Sequence, residues 1–151
     1  MRICEGGLDD GRVLDLLRLH LAGMHENSPP ENVFALDLSG LGAEDVAFFT
    51  VWRGDTLLGM GALRELDAAT GEIKSMRTHP EHLGKGVANR LLDHLLGLAR
   101  ARGYRRVSLE TGHGPAFEPA LSLYRRNGFT EGPPFAGYRP NVFSRFFHLD
   151  L

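Results

Sequence analysis

The stretch EIKSMRTHPEHLGKGVANRLLDHLLGLARARG, Glu72 to Gly103, decides the fold of this chain. Its first seven residues have the composition of an extended strand, which Pro80 ends because proline has no N–H to give to a sheet. Gly84 and Gly86 then precede a run in which apolar residues recur at helical spacing. A glycine closes this run, as is typical of a helix C-terminus. The stretch therefore predicts a strand, a glycine turn and a long amphipathic helix.

The glycine turn is the sharpest chemical feature of the sequence. A glycine turn at a helix N-terminus directs several main-chain N–H groups toward one point, a geometry that binds phosphate. The turn fits neither a Walker loop nor the GxGxxG pattern of dinucleotide-binding folds. On local grounds, a turn without a ligand is therefore an equal alternative. The buried face of the helix that follows is predicted to comprise Val87, Leu91, Leu92, Leu95, Leu98 and Ala99.

The segment HLGKGVANRLLDHLLGLARARGYRRVSLE, followed by LYRRNGF, resembles the GCN5-related N-acetyltransferase (GNAT) superfamily. In that family the loop that binds the pyrophosphate of coenzyme A (CoA) has the pattern Gln/Arg-x-x-Gly-x-Gly/Ala. Leu83 departs from this pattern, which puts a side-chain contact at that position in doubt but leaves the main-chain contacts. The resemblance implies acetyl-CoA as cosubstrate. The residues that it implies for binding acetyl-CoA are Met76, Arg77, Thr78, Leu83, Gly84, Lys85, Gly86, Val87, Ala88 and Asn127.

Composition indicates an ordinary globular protein. The 151 residues are 42% hydrophobic and 24% charged, with a formal net charge of -2, so no basic face favours a nucleic-acid partner. No apolar run approaches the roughly 18 residues of a membrane span, and we expect no membrane association. The single cysteine, Cys4, excludes an internal disulfide. With no apolar core of a signal peptide at the N-terminus, we expect one cytoplasmic domain covering residues 1–151.

The remaining elements follow from periodicity and turn residues. The segments predicted before Glu72 are a strand at 1–4, a helix capped by Asp9 or Asp10 and ending before Asn27, a second short helix opened by a Ser28–Glu31 capping box, and a hairpin of strands 47–53 and 57–63. Those predicted after Gly103 are strands at 105–111 and 143–149 and a helix from Pro119 to Arg126.

A long helix between two strands predicts that those strands are parallel neighbours in one sheet. The resemblance implies the rest of the architecture. We expect an α/β fold of the acyl-CoA N-acyltransferase type, with a mixed, mostly antiparallel, twisted sheet of about six or seven strands. The sheet is splayed at its centre, and helices cover both faces. Because an open sheet edge invites pairing, a homodimer through the last strands is a further expectation.

The resemblance also implies catalytic residues. Tyr124, in LYRRNGF, matches the tyrosine that protonates the departing thiolate in many members of the family. Glu72 and Glu110 are candidates for the general base, and His25 and His113 are alternatives because histidine titrates near neutral pH. For each of these residues a structural role or a surface position is the competing interpretation.

A narrower resemblance concerns the acceptor. HENSPPENVFALDL, EIKSMRTHP, VSLETG and PFAGY are similar to one bacterial branch of acetyltransferases. The residues implied on the acceptor side are His25, Ser28, Lys74, Thr111, Phe135 and Tyr138, with Arg77 and Glu110 beside them. This mixture of charges suits a small zwitterion or an acidic acceptor.

The function expected from these resemblances is direct transfer of an acetyl group to a primary amine of a small molecule or protein. No metal is expected, because the histidines lack a recognised ligand motif. A covalent acetyl-enzyme is not expected either, because Cys4 lies in the first strand. The alternatives are a non-catalytic acyl-CoA sensor, an enzyme using another acyl donor, and an enzyme acting on a hydroxyl acceptor.

Overall fold

The computed structural model describes residues 1–151, which form seven strands, four helices and three short 3₁₀ turns. The strands are β1 (Arg2–Glu5), β2 (Val46–Arg53), β3 (Thr56–Glu65), β4 (Thr70–Thr78), β5 (Arg106–Thr111), β6 (Thr130–Glu131) and β7 (Arg145–Asp150). The helices are α1 (Gly11–Asn27), α2 (Leu38–Leu41), α3 (Val87–Ala101) and α4 (Glu118–Arg126). The 3₁₀ turns are Pro30–Asn32, Pro80–His82 and Pro115–Phe117. No helix is both long enough and apolar enough to cross a bilayer.

All seven strands form one sheet in the order β1-β2-β3-β4-β5-β7-β6. Every neighbouring pair is antiparallel except β4 and β5, which are parallel as the strand–helix–strand connection predicts. The β4–β5 ladder runs only from Thr70 opposite Arg106 to Glu72 opposite Ser108. Beyond Glu72 the two strands are no longer paired. The mixed sheet with an opening at its centre is therefore confirmed.

Helices cover both faces of the sheet, as expected. Helices α3 and α4 pack on one face over the larger core, which includes Leu92, Leu95 and Phe147, and α1 and α2 cover a smaller core on the other. Gly61 allows α3 to approach β3 closely, because a Cβ there would lie 2.9 Å from a methyl group of Leu91.

The buried face of α3 differs from the prediction at one position. Leu96 is buried and Leu98 only half-buried, because the helix packs over its Leu92–Leu96–Ala99 edge as well as the predicted positions.

The prediction of a helix opened by Ser28 is wrong. α1 continues through Asn27, and Ser28 follows it in an extended conformation. The residue before a proline disfavours helical angles, and Pro29 is itself extended, so only the three-residue turn Pro30–Asn32 forms.

The last strands also differ from expectation. β7 is not an edge strand, because it lies between β5 and β6. The short strand β6, which periodicity did not indicate, occupies the edge and pairs with β7 only through Thr130 and Glu131. β6 covers only Phe147 and His148 of β7, and a homodimer through the last strands stays a prediction.

Candidate active site

A cavity of about 120 Å³ opens where β4 and β5 separate. Its walls come from both strands, from the C-terminal half of α1 with the segment after it, and from α4. The polar side chains that line it include Glu72, Lys74, Ser75, Glu110 and Tyr124. Aromatic rings complete the wall, namely Phe34, Phe117 and Phe143.

Strand β4 is irregular at this cavity. Met60 lies opposite Arg77 and Ala62 opposite Lys74, so β4 carries one residue more than β3 over the same interval. This extra residue is accommodated at Ser75, whose φ of 57° lies in the left-handed region that non-glycine residues seldom adopt. The bulge turns β4 away from β5 and leaves main-chain groups of this segment outside the regular ladders.

Three side chains form a network beside the cavity, in which Glu72 and Lys74 line the cavity and the half-buried Tyr138 lies behind them. The Tyr138 hydroxyl donates to Glu72 Oε2 at 2.5 Å, and Lys74 Nζ donates to the same hydroxyl oxygen at 2.9 Å. Lys74 Nζ also lies 3.5 Å from Glu72 Oε2, with 8% of the lysine side chain and 2% of the glutamate side chain exposed. Burial, followed by the charge of Glu72, raises the pKa of Tyr138. The network therefore compensates the negative charge of the Glu72 carboxylate and fixes the orientation of its side chain.

Glu110 faces the cavity from β5. Its Oε2 accepts one hydrogen bond, from Ser144 Oγ at 2.7 Å. Burial raises the pKa of the Glu110 carboxyl, and the Ser144 hydrogen bond and the charge of Lys74 oppose that change. A carboxylate with a raised pKa and only one protein partner is suited to accept a proton.

Tyr124 reaches the cavity from α4. The residue is only 5% exposed, and its hydroxyl, which is not fully enclosed, makes no hydrogen bond within the protein. Burial raises the pKa of the phenol, so it stays protonated across the physiological range.

The glycine turn forms an open loop of free N–H donors. Gly84 and Gly86 have φ values of 73° and 80°, and a Cβ added to either would have no neighbour within 4 Å. The main-chain N–H groups from Gly84 to Ala88 donate to no group of the protein. These donors sit at the N-terminus of α3, where the helix dipole favours an anion. Leu83 precedes the loop and is 67% exposed.

Asn127 ties α4 to the beginning of α3. Its Nδ2 donates to Asn89 Oδ1 at 2.9 Å and to the carbonyl oxygen of Leu123 at 2.7 Å. The residue therefore fixes the position of α4, which carries Tyr124, relative to the loop.

A buried histidine on α1 was not anticipated from the sequence. His20 lines the cavity, and its Nδ1 accepts a hydrogen bond from Arg77 Nε at 3.0 Å. Burial and then the charge of Arg77 lower the pKa of His20 to about 4, so the ring is neutral at physiological pH. Arg77 itself is half-buried against α1 and does not line the cavity. Because His20 falls in the apolar stripe of an amphipathic helix, only its polar character distinguished it in the sequence.

The other sequence candidates divide into two groups. Ser28, Thr111 and Met76 line the cavity. His25 is exposed on the last turn of α1, and His113 Nδ1 lies 2.7 Å from the carbonyl oxygen of Phe143, so the structure brings neither histidine to the cavity.

Phe135 packs against the Tyr138 ring, with 5.0 Å between the ring centroids, and stands behind the cavity wall. Thr78 ends β4 opposite Gly59. Lys85 Nζ lies 3.1 Å from His82 Nδ1.

One group of side chains has ligand atoms spaced for a metal ion. Those of His79, Glu81 and His82 all lie within 4.8 Å of one another, just before the glycine loop. The expectation of no metal rested on the absence of a sequence motif, and the turn at Pro80 brings these three groups together without one. The expected absence of a metal ion therefore stays a prediction.

Comparison with known proteins agrees with this architecture. Residues 13–129 match the model of the acetyltransferase (GNAT) family. An uncharacterised N-acetyltransferase of Bacillus subtilis, YsnE, is 48% identical over 138 residues, covering 91% of each chain. An Azospirillum brasilense protein named IAA acetyltransferase is 35% identical over 124 residues, covering 82% of this chain and 80% of its own.

Solved structures have the same fold. A Klebsiella pneumoniae protein assigned to the acyl-CoA N-acyltransferases superposes with a TM-score of 0.82 at 28% identity, over 99% of this chain and 97% of its own. A GNAT acetyltransferase from Elizabethkingia anophelis, crystallised with acetyl-CoA, has a TM-score of 0.72 at 17% identity, covering 99% and 97%. With a matching family model, close relatives and a shared fold, this chain belongs to the GCN5-related N-acetyltransferase family and is an acyltransferase of that type.

Proposed function

We propose that this protein transfers the acetyl group of acetyl-CoA directly to the primary amine of a small molecule. The observation that carries the proposal is the opening between β4 and β5, with free N–H donors beside it at the start of α3 and a tyrosine and a carboxylate inside it. Acetyl-CoA supplies an acetyl thioester, and the protein has to hold it, accept a proton from the amine and protonate the thiolate.

The loop from Gly84 to Ala88 holds the pyrophosphate. Five consecutive residues offer unpaired main-chain N–H groups, and both glycines leave open space where a side chain would obstruct a phosphate. The contacts come from the backbone, so Leu83 can replace the glutamine or arginine of the family pattern. Met76 and Thr78 of β4 provide main-chain contacts to the pantetheine arm and thioester, which enter the opening beside the bulge.

Glu110 is the general base. An ammonium group must lose a proton before its nitrogen can attack the acyl carbon, and the unperturbed pKa of a lysine-type amine is near 10. Glu72 is the less suitable carboxylate because Tyr138 and Lys74 already occupy it, whereas Glu110 has one hydrogen bond and a raised pKa. A proton accepted by Glu110 can then pass to solvent.

Tyr124 is the general acid. As the C–S bond breaks, the phenol gives its proton to the departing thiolate, and no protein acceptor competes for that proton because the hydroxyl has no hydrogen-bond partner. The attacking nitrogen releases its second proton as the amide forms, and the phenolate regains a proton from solvent, which completes the cycle. Its raised pKa ensures that the proton is present at the start of each cycle.

The acceptor is a compact amine with an apolar part. The cavity of about 120 Å³ is small and has aromatic rings in its wall, including Phe34 and Phe143. These features favour a small molecule over a lysine presented by a folded protein. Lys74 and Glu72 supply polar groups beside the apolar wall.

Two glycine variants test the cofactor site with a matched control. Gly86 and Gly103 lie at opposite ends of α3, have φ values of 80° and 79°, and leave equal open space for a side chain. Gly86→Glu and Gly103→Glu therefore add the same charge at the same backbone strain. Isothermal titration should show loss of CoA binding in Gly86→Glu and near-normal binding in Gly103→Glu. Equal affinity in the two folded variants would refute the loop assignment.

A further inference from the structure

One fully enclosed polar atom of the cavity wall has no partner. Ser75 is 9% exposed, and its Oγ is the one side-chain nitrogen or oxygen atom that is shut off from solvent and makes no hydrogen bond. Leaving a buried hydroxyl without a partner is unfavourable, and proteins seldom do so without a functional reason. The same residue carries the positive φ of 57° at the β4 bulge. Backbone strain and an unsatisfied hydrogen-bond donor thus coincide in one residue of the active-site wall.

The position of Ser75 suggests what the hydroxyl is for. On one side in the chain is Lys74, part of the network with Glu72 and Tyr138, and on the other is Met76, which packs toward α3. Tyr124, the proposed acid for the thiolate, lines the same cavity. Ser75 therefore stands between the acceptor side and the thioester side, where the acyl carbon must lie for the amine to reach it.

We infer that Ser75 Oγ donates a hydrogen bond to the carbonyl oxygen of the acyl group, an inference that rests on the proposed function. As the amine nitrogen bonds to the acyl carbon, electrons move onto this oxygen, and they return as the C–S bond breaks. Ser75 keeps its proton throughout, since the amine proton goes to Glu110 and the thiolate proton comes from Tyr124. A fixed donor aimed at developing charge is the arrangement that stabilises an oxyanion.

The unpaired state of the hydroxyl is what this role requires. A donor already engaged by a protein acceptor would have to exchange that bond for the acyl oxygen during each cycle. The left-handed backbone at the bulge fixes the position of Ser75 in the cavity wall before the substrate arrives.

The test compares Ser75→Ala, Ser75→Gly and the exposed-serine control Ser122→Ala. Dissociation constants for acetyl-CoA and CoA are measured by titration, because only acetyl-CoA carries the acyl oxygen. Thioester turnover is followed with the best amine from a panel, and the Tm of each ligand-free protein is recorded. Both Ser75 variants lack the hydroxyl, but only Ser75→Gly also relieves the strain of the positive φ. Comparing the two variants therefore separates the effect of the hydroxyl from the effect of the backbone strain.

Both Ser75 variants should bind CoA normally, bind acetyl-CoA several-fold more weakly, and turn over about 10²- to 10³-fold more slowly, the usual effect of removing one oxyanion donor. Their ligand-free Tm should be unchanged or higher, because no hydrogen bond is lost. An unchanged ratio of acetyl-CoA to CoA affinity with unchanged turnover would overturn the inference, as would a lowered Tm with both affinities equally weakened. If the wild-type protein bound neither species, the proposed function would fail and this inference with it.

Discussion

The buried pair of Glu72 and Lys74 allows a quantitative test through the variant Lys74→Met. Methionine has nearly the shape of the lysine stem and no charge, so the substitution preserves packing and removes the cation. Glu72 would then be a carboxylate with 2% of its side chain exposed and only the Tyr138 hydroxyl as a hydrogen-bond donor.

Removing one partner of a buried ion pair costs about 3–5 kcal/mol, because the remaining charge is left without compensation. For a protein of 150–250 residues each kcal/mol corresponds to about 2–4 °C in Tm. Lys74→Met should therefore lower Tm by about 6–20 °C. Replacing both charges, as Glu72→Gln with Lys74→Met, leaves no uncompensated charge and should restore most of the loss.

The assay is thermal and urea unfolding followed by circular dichroism at neutral pH. The control is Lys85→Met, which removes an exposed lysine of the loop and should change stability by less than about 1 kcal/mol. A Tm of Lys74→Met within 2–3 °C (about 1 kcal/mol) of the wild-type value would contradict the predicted cost of the unpaired Glu72 charge. So would a double variant as unstable as the single one.

Two further predictions concern the reaction. Tyr124→Phe should lower turnover by about 10²- to 10⁴-fold, the usual contribution of a general acid. The CoA affinity and the Tm should not change, because the hydroxyl makes no hydrogen bond within the protein. Normal turnover would show that Tyr124 is not the acid. Ser144→Ala removes the hydrogen bond that lowers the pKa of Glu110, so that pKa rises further. Because the base acts when deprotonated, the acidic limb of the pH–activity profile should move to higher pH in Ser144→Ala and disappear in Glu110→Gln. A limb at the same pH in wild type, Ser144→Ala and the control Ser122→Ala would show that another group is the base.

The parts of the fold predicted from the sequence are those fixed by local chemistry. The parallel pair of β4 and β5 and the glycine loop could both be predicted from the sequence. The features that predicted them are the spacing of Leu91, Leu92 and Leu95, the glycines at both ends of α3 and the strand–helix–strand order. These features depend on residues close together in the chain, where periodicity and backbone preference act directly.

The features that the sequence did not reveal depend on contacts between distant segments. The Ser28 capping box failed because Pro30 keeps Pro29, the first position of the predicted helix, extended, a local conflict that the motif alone does not register. The insertion of β7 between β5 and β6 is a choice among strand pairings that no alternation pattern specifies.

The same limit applies to the candidate site. Tyr138 reaches Glu72 across 66 residues and Arg77 reaches His20 across 57, so these partners could not be paired by spacing. Ser75 carries no sequence signal for a left-handed bulge, since serine has no preference for positive φ and the register of β3 against β4 determines the extra residue. His25 was favoured for its residue type, yet α1 turns it outward.

We propose that the opening between β4 and β5 and the loop at Gly84–Ala88 form one acetyl-CoA site. The most direct measurement is the Tm of the purified protein with acetyl-CoA, with CoA and with ATP. A ligand at about 100 times its Kd adds roughly 2.7 kcal/mol of apparent stability, which corresponds to about 5–11 °C for a protein of this size. The Tm should rise by this amount with both CoA species and by little or nothing with ATP. No increase with either CoA species, or an equal increase with ATP, would contradict it.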